Sequence, residues 1–148
     1  MAARRLRVFI DTSALMAGLI SSSGAAREVL RLAEAEVIEV IVSQQVIVEA
    51  DRNFGKKFPD LLASFRLFIR SLNPVVVPDP PVPAVRDAAR VIHPDDAPIL
   101  AAAIQERVDF LITWNTRHFM KSAVTDSTPF PIVTPAQFLE EFRKLLED

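Results

Sequence analysis

With 148 residues, half of them hydrophobic, the chain is long enough for one domain with a sizeable core, and its formal charge of −2 lacks the positive excess of proteins that coat nucleic acid nonspecifically. The absence of cysteine excludes disulfides and thiolate-held zinc or iron–sulfur centres; with only His93 and His118 available, any metal would be a hard cation held by oxygen. No apolar run reaches the roughly 18 residues of a membrane span, and Arg4, Arg5 and Arg7 lead into a stretch too short for a signal peptide, so a cytoplasmic protein with no membrane partner is expected.

Leu6 to Ile10 reads as a buried strand. A short helix follows from Leu15 to Ile20, and Ser21-Ser22-Ser23-Gly24 breaks it. The run "AAREVLRLAEAE" has helical spacing through Val29, Leu30 and Ala33. Val37 to Val42 is short and rich in β-branched residues, which predicts a second strand. Ser43 is suited to cap the next helix, "QQVIVEADRNF". After Pro59, the residues Leu61, Leu62, Phe65, Phe68, Ile69 and Leu72 form a wide apolar helix face. Such a face can serve the core and also a partner, and it makes a homodimer an expectation. Val75 to Val77 is a third strand, and "PDPPVP" after it is expected to be a surface loop. A helix opens near Asp95 and runs through "APILAAAIQER". Asp109 to Thr113 is a fourth strand, Pro131 to Val133 a fifth, and Pro135 starts the last helix.

Strands alternating with helices predict a single α/β domain over residues 1–148 with a mostly parallel sheet. In such sheets ligands sit beyond the carboxyl ends of the strands. Asp11 stands at one such end, and Asn115 lies just past another.

Asp11 precedes Thr12-Ser13 at a strand-to-helix turn, where it serves equally well as a helix cap or a metal ligand. On the following helix Val46, Ile47, Ala50 and Phe54 share one arc, and Glu49 falls on its edge, able to reach past the core surface. Arg52 points away, and an ordinary Glu49–Arg52 surface pair is the plain alternative. Asp96 is placed in the first turn of the stripe formed by Ile99, Leu100 and Ala103, where a hydrophobe would be the default. Asp95 is better placed to favour the helix N-terminus, so an inward Asp96 needs another purpose. Asn115, taken alone, is an ordinary turn residue. Arg117 and His118 beside it form either a solvated turn or part of a basic rim.

The segments "FIDTSAL", "VEA", "HPDDAPILAAA" and "FLITWNTRHF" together resemble, in order and spacing, the signature segments of PIN-domain nucleases, across nearly the whole chain. The small size and layout are similar to the VapC-like toxins of toxin–antitoxin pairs. The resemblance implies a three-layer α/β/α fold whose acids gather in a groove and cleave RNA with Mg²⁺ or Mn²⁺. By position, Asp11, Glu49 and Asp96 match the family's acids, and Thr113 matches a hydroxyl beside the site. Asn115 stands where many members have Asp and others of the toxin type have Asn. The resemblance also implies a homodimer and, for a toxin, an antitoxin that covers the groove.

Gathered carboxylates repel one another, and one would take up a proton unless a divalent cation kept all of them ionised. Mg²⁺ needs few acids because it keeps several waters, and it can make a water acidic enough to attack phosphorus. On this basis Asp11 and Asp96 are expected as principal ligands, with Glu49 and Asn115 holding a ligand or a water. Ser13 and Thr113 would support them through their hydroxyls. Arg52, Lys56, Arg117, His118 and Lys121 are candidates for a phosphate-contacting rim. The alternative is a PIN-like module that binds RNA or protein without cutting. A phosphatase is disfavoured because Gly18, Gly24 and Gly55 are too scattered for a phosphate loop.

Overall fold

The computed structural model describes residues 4–147; residues 1–3 and 148 of the expected domain lie outside the described residues. The chain runs β1 (Leu6–Ile10), α1 (Thr12–Ile20), α2 (Ala25–Glu34), β2 (Ile38–Ser43), α3 (Gln44–Lys57) and, after a 3₁₀ turn at Pro59–Leu61, α4 (Leu62–Leu72). It continues through β3 (Val75–Val77), α5 (Val82–Ala88), α6 (Ala97–Glu106), β4 (Phe110–Ile112), α7 (Thr116–Phe119), α8 (Ser122–Thr125), β5 (Ile132–Val133) and α9 (Pro135–Glu147). The strands form one five-stranded sheet in the order β3-β2-β1-β4-β5. Every pairing is parallel, with Val8 opposite both Val40 and Phe110. Helices flank the sheet in a three-layer α/β/α arrangement.

A parallel sheet needs helical crossovers that cover both faces, so its central strands are apolar without alternation. Val8, Phe9 and Ile10 of β1 and Val40, Ile41 and Val42 of β2 are accordingly all buried. Around them α1 packs on α2, α2 on α9 and α5 on α6. Gly18 permits the close approach of α1 to α2: a Cβ there would lie 2.3 Å from Leu30 Cδ1. Among the described residues no helix is long and apolar enough to cross a membrane.

The strands and long helices fall where the sequence predicts them, α1 starts at Thr12 rather than at the expected Leu15, and four further details differ. First, the expected loop "PDPPVP" runs into α5, with Pro81 at the N-cap position and Pro83 in the first turn. Proline is at home there because the N–H it lacks has no helical partner anyway. Second, the apolar face from Leu61 to Leu72 is mainly core. Phe65 and Leu72 are buried and Leu61, Leu62, Phe68 and Ile69 pack against the core, which leaves Leu67 as the exposed hydrophobe of α4. Third, α7 and α8 are single turns too short to show a period in sequence. Fourth, α6 begins at Ala97, so Asp96 is at its N-cap position rather than inside its first turn.

Candidate active site

Because all strands run the same way, their carboxyl ends form one edge of the sheet, and β1 occupies its middle. Asp11 is the first residue past β1; its N–H donates to the Ile112 carbonyl at 3.1 Å, which ties it to β4. It is also the N-cap of α1. Oδ1 accepts from the Ala14 N–H at 2.9 Å and from the Ser13 hydroxyl at 2.8 Å. The Thr113 hydroxyl, fully buried, donates to Oδ2. Capping and site chemistry therefore coexist in one side chain. Asp11 is only 3% exposed, and burial pushes its carboxyl up to about 6. The bonds from Thr113, Ala14 and Ser13 work against that rise, while the nearby charge of Asp96 adds to it.

The same donors lace two turns together. Ser13 Oγ accepts from the Trp114 N–H at 3.0 Å, and Thr113 Oγ1 accepts from the Asn115 N–H at 2.8 Å. The β1–α1 turn thus fixes the β4–α7 turn, and Asp11 sits between them.

Glu49 extends from α3, whose buried face is Val46, Ala50 and Phe54. Its Oε2 accepts from the Thr12 hydroxyl at 3.0 Å and its Oε1 from Gln45 Nε2 at 2.7 Å. Among the described ion pairs, none joins Glu49 to Arg52. Asp96 makes no side-chain capping bond to α6. Its Oδ2 lies 2.6 Å from His118 Nδ1. An ionised carboxylate only accepts, so Nδ1 carries the proton. The Asn115 amide nitrogen, 3.4 Å from that Nδ1, is then a neighbour rather than a donor to it. The His93 ring stacks on His118, with centroids 5.5 Å apart and planes within 10°. Asp95 stays exposed, its N–H donating to His93 Nδ1 at 3.1 Å.

A continuous run of contacts therefore links Glu49 through Thr12 to Asp11, then through Thr113 and Asn115 to His118 and Asp96. Of the expected residues, Asp11, Ser13, Glu49, Asp96, Thr113 and Asn115 all lie in it. Of the expected rim, Arg52, Lys56, Arg117 and Lys121 are exposed. Arg52 lines a cleft of about 450 Å³ with Glu49 and Asn53. His118, expected on the same rim, instead holds Asp96 and borders a second cleft of about 260 Å³ with His93 and Lys121. Thr12, Gln45 and His93 were not among the expected site residues. Thr12 follows Asp11 directly and Gln45 precedes Glu49 by one helical turn, so both had a positional signal. The stacking of His93 on a residue beyond β4 had none.

Among the described residues no group of three or more His, Cys, Asp or Glu side chains already converges to hold a metal. The donor set nonetheless fits a hard divalent cation, because Mg²⁺ commonly takes one or two carboxylates and completes its shell with waters and phosphate oxygens. Asp11 and Asp96 are the candidate ligands: Asp11 follows β1, Asp96 opens α6 and is bonded to His118 beyond β4, and the charge of Asp96 reaches Asp11.

The sequence matches the PIN domain family over residues 7–117, a span that includes every one of these acids. The chain belongs to the PIN domain family, whose members are generally nucleases. Among solved structures it is similar to PAE2754 from Pyrobaculum aerophilum, at 20% identity over 91% of this chain and 88% of that one, with a TM-score of 0.62. It is also similar to a chain of VapBC2 from Rickettsia felis bound to a DNA fragment from its promoter, at 16% identity over 86% and 97%, with a TM-score of 0.64. At these identities the likeness shows the shared fold. No curated protein matches the sequence.

Proposed function

We propose that the protein is a Mg²⁺- or Mn²⁺-dependent endoribonuclease acting in the cytoplasm as the toxin of a toxin–antitoxin pair. The observation that carries this reading is Asp11: a carboxyl buried at the end of the central strand, given three hydrogen-bond donors but no basic partner, with the charge of Asp96 nearby. Asp11 and Asp96 would hold the cation. When bound, such a cation neutralises the phosphate and supplies a nucleophile at neutral pH.

The chain's own residues supply the rest. Ser13, Ala14 and Thr113 donate to Asp11 and fix both of its oxygens. His118 orients Asp96 from behind, as outer partners of ligands commonly do. Glu49, held by Thr12 and Gln45, would hold a ligand or a metal-bound water, and Asn115 would orient one. Arg52, Lys56, Arg117 and Lys121 contact the phosphates of the strand. No histidine base or serine nucleophile is needed.

The test is RNA cleavage with metal omitted and added back. Asp11→Asn and Asp96→Asn are expected to abolish cleavage while circular dichroism and thermal melting show a folded protein. Full activity in EDTA, or in both variants, would overturn the proposal. A module that binds RNA without cutting is the second reading, favoured by the neutral Asn115 in place of an acid. It would keep its RNA affinity without metal and show no cleavage with it. We propose an antitoxin and a second copy of this chain as protein partners. The first is supported by the likeness to a chain of VapBC2, the second by exposed Leu67 on α4. Size-exclusion chromatography with light scattering checks the second.

A further inference from the structure

We propose that Trp114 is a stacking platform for an unpaired base of the RNA strand whose phosphodiester lies at Asp11; this rests on the nuclease reading and names the residue that would hold a base next to the cleaved bond. Trp114 is the chain's sole tryptophan. It is 47% exposed, while Phe9, Phe54, Phe65, Phe119 and Phe138 are fully buried. Single exposed apolar residues are common, and Phe58 is 39% exposed as well; what sets Trp114 apart is its place in the turn that Ser13 ties to Asp11.

Its backbone, in contrast, is held firmly. The Trp114 N–H donates to Ser13 Oγ, and that hydroxyl donates in turn to Asp11 Oδ1. Thr113 before it is fully buried and bound to Asp11, and the Asn115 N–H after it is bound to Thr113. The backbone that carries the ring is therefore held by the same two turns that fix the acid. An indole has only two side-chain torsions and so loses little conformational freedom on binding.

The local charge indicates what covers that face. From Phe110 to Thr125 the chain contains no Asp or Glu and carries Arg117 and Lys121; the acids that face this segment, Asp11 through Thr113 and Asp96 through His118, are the candidate metal ligands. Both basic residues are exposed. An exposed aromatic interleaved with cations is the pattern that holds single-stranded nucleic acid, with bases stacked on the ring and phosphates on the basic groups. A duplex cannot offer a base face there, because its bases are stacked on one another.

The chain has no tyrosine, so its ultraviolet emission above the phenylalanine band comes from Trp114 alone. The experiment titrates the full chain, with Ca²⁺ in place of Mg²⁺ so that a cation is present without cleavage, with a short oligoadenylate. A backbone of the same length lacking bases and a matched RNA duplex serve as controls. Oligoadenylate is expected to quench Trp114 emission strongly, and the duplex and the abasic backbone are not. With fluorescently labelled oligoadenylate, Trp114→Ala is expected to weaken binding about tenfold while Trp114→Phe stays within about threefold of the parent. The abasic strand should bind the parent and Trp114→Ala equally. Unchanged affinity of Trp114→Ala for oligoadenylate, or emission that does not respond to bound oligoadenylate, overturns the platform; so does equal quenching by the duplex. A platform that quenches in a protein that never cleaves with Mg²⁺ or Mn²⁺ leaves this inference standing and removes the nuclease reading. Cleavage by Trp114→Ala at the parent kcat/KM does the reverse. Failure of oligoadenylate to bind at all removes the platform too.

Discussion

The two edges of the same sheet treat their acids in opposite ways. At the amino ends of the strands, Asp109, Glu39 and Glu106 are matched by arginines. Arg4 meets Asp109 at 2.9 Å, and Arg7 reaches both Glu39 at 3.3 Å and Glu106 at 3.4 Å. Arg7 also donates to the Glu106 carbonyl at 2.6 Å, and Arg5 adds a second contact to Glu39 at 3.5 Å. At the carboxyl ends, Asp11, Glu49 and Asp96 are held by hydroxyls, amides and one imidazole, with no Lys or Arg among their described hydrogen-bond partners. Arginine neutralises an acid permanently, whereas a hydroxyl orients it and leaves its charge. One edge is therefore built for cohesion, and the other leaves its acids without a basic neutraliser, as the proposed cation site requires.

That contrast can be broken from either side. The largest effect is expected from Asp11→Asn, which should lower metal-dependent RNA cleavage about a thousandfold or more, measured as kcat/KM, while the folded state survives. Next comes the pH dependence of stability. The folded-state carboxyl of Asp11 is raised from 3.8 to about 6, so below the lower value both states are protonated and Asp11 contributes nothing. Between the two values the folded state holds a proton that the unfolded state has lost. Stability in EDTA should therefore fall as pH rises from 4 to 7, by roughly 3 kcal/mol from this group. Urea unfolding at several pH values measures the slope, and Asp11→Asn should flatten it.

Thr113→Val keeps the shape but removes a buried donor from Asp11. It is expected to cost about 2 kcal/mol and to move the acid limb of the cleavage pH profile upward. Arg7→Ala attacks the opposite edge. It should destabilise by about 1–2 kcal/mol and leave cleavage unchanged in an activity assay at a temperature well below its melting point. The smallest effect belongs to Arg107, which holds a left-handed backbone at φ 52° where glycine is unstrained. Arg107→Gly should stabilise by up to ~1 kcal/mol, read by thermal melting, again with no change in activity.

The sheet was legible in the sequence because parallel strands buried on both faces are continuous apolar runs, and Val8-Phe9-Ile10 and Val40-Ile41-Val42 are such runs. Ser43 was legible as a cap for a local reason: its hydroxyl accepts from the Val46 N–H three residues on. The elements that escaped are those without a period. The single-turn helices α7 and α8 have none, and α5 was obscured by prolines that open it. In the site, Asp11, Glu49 and Asp96 stood out as acids at or beside apolar positions. The partner of Asp96 did not, because His118 follows it across an intervening helix and strand. Only the return of the chain through β4 after α6 brings the imidazole to the carboxylate.

The double duty of Asp11 has an evolutionary consequence. A single transition in an aspartate codon yields asparagine, whose side-chain oxygen caps a helix as well as the acid's does. The start of α1 would survive such a change and, on the proposed reading, the cleavage would not. Lineages under pressure to disarm this protein can thus do so in one inherited step that quality-control proteases have no reason to notice, and folded, silent descendants should accumulate more readily than broken ones.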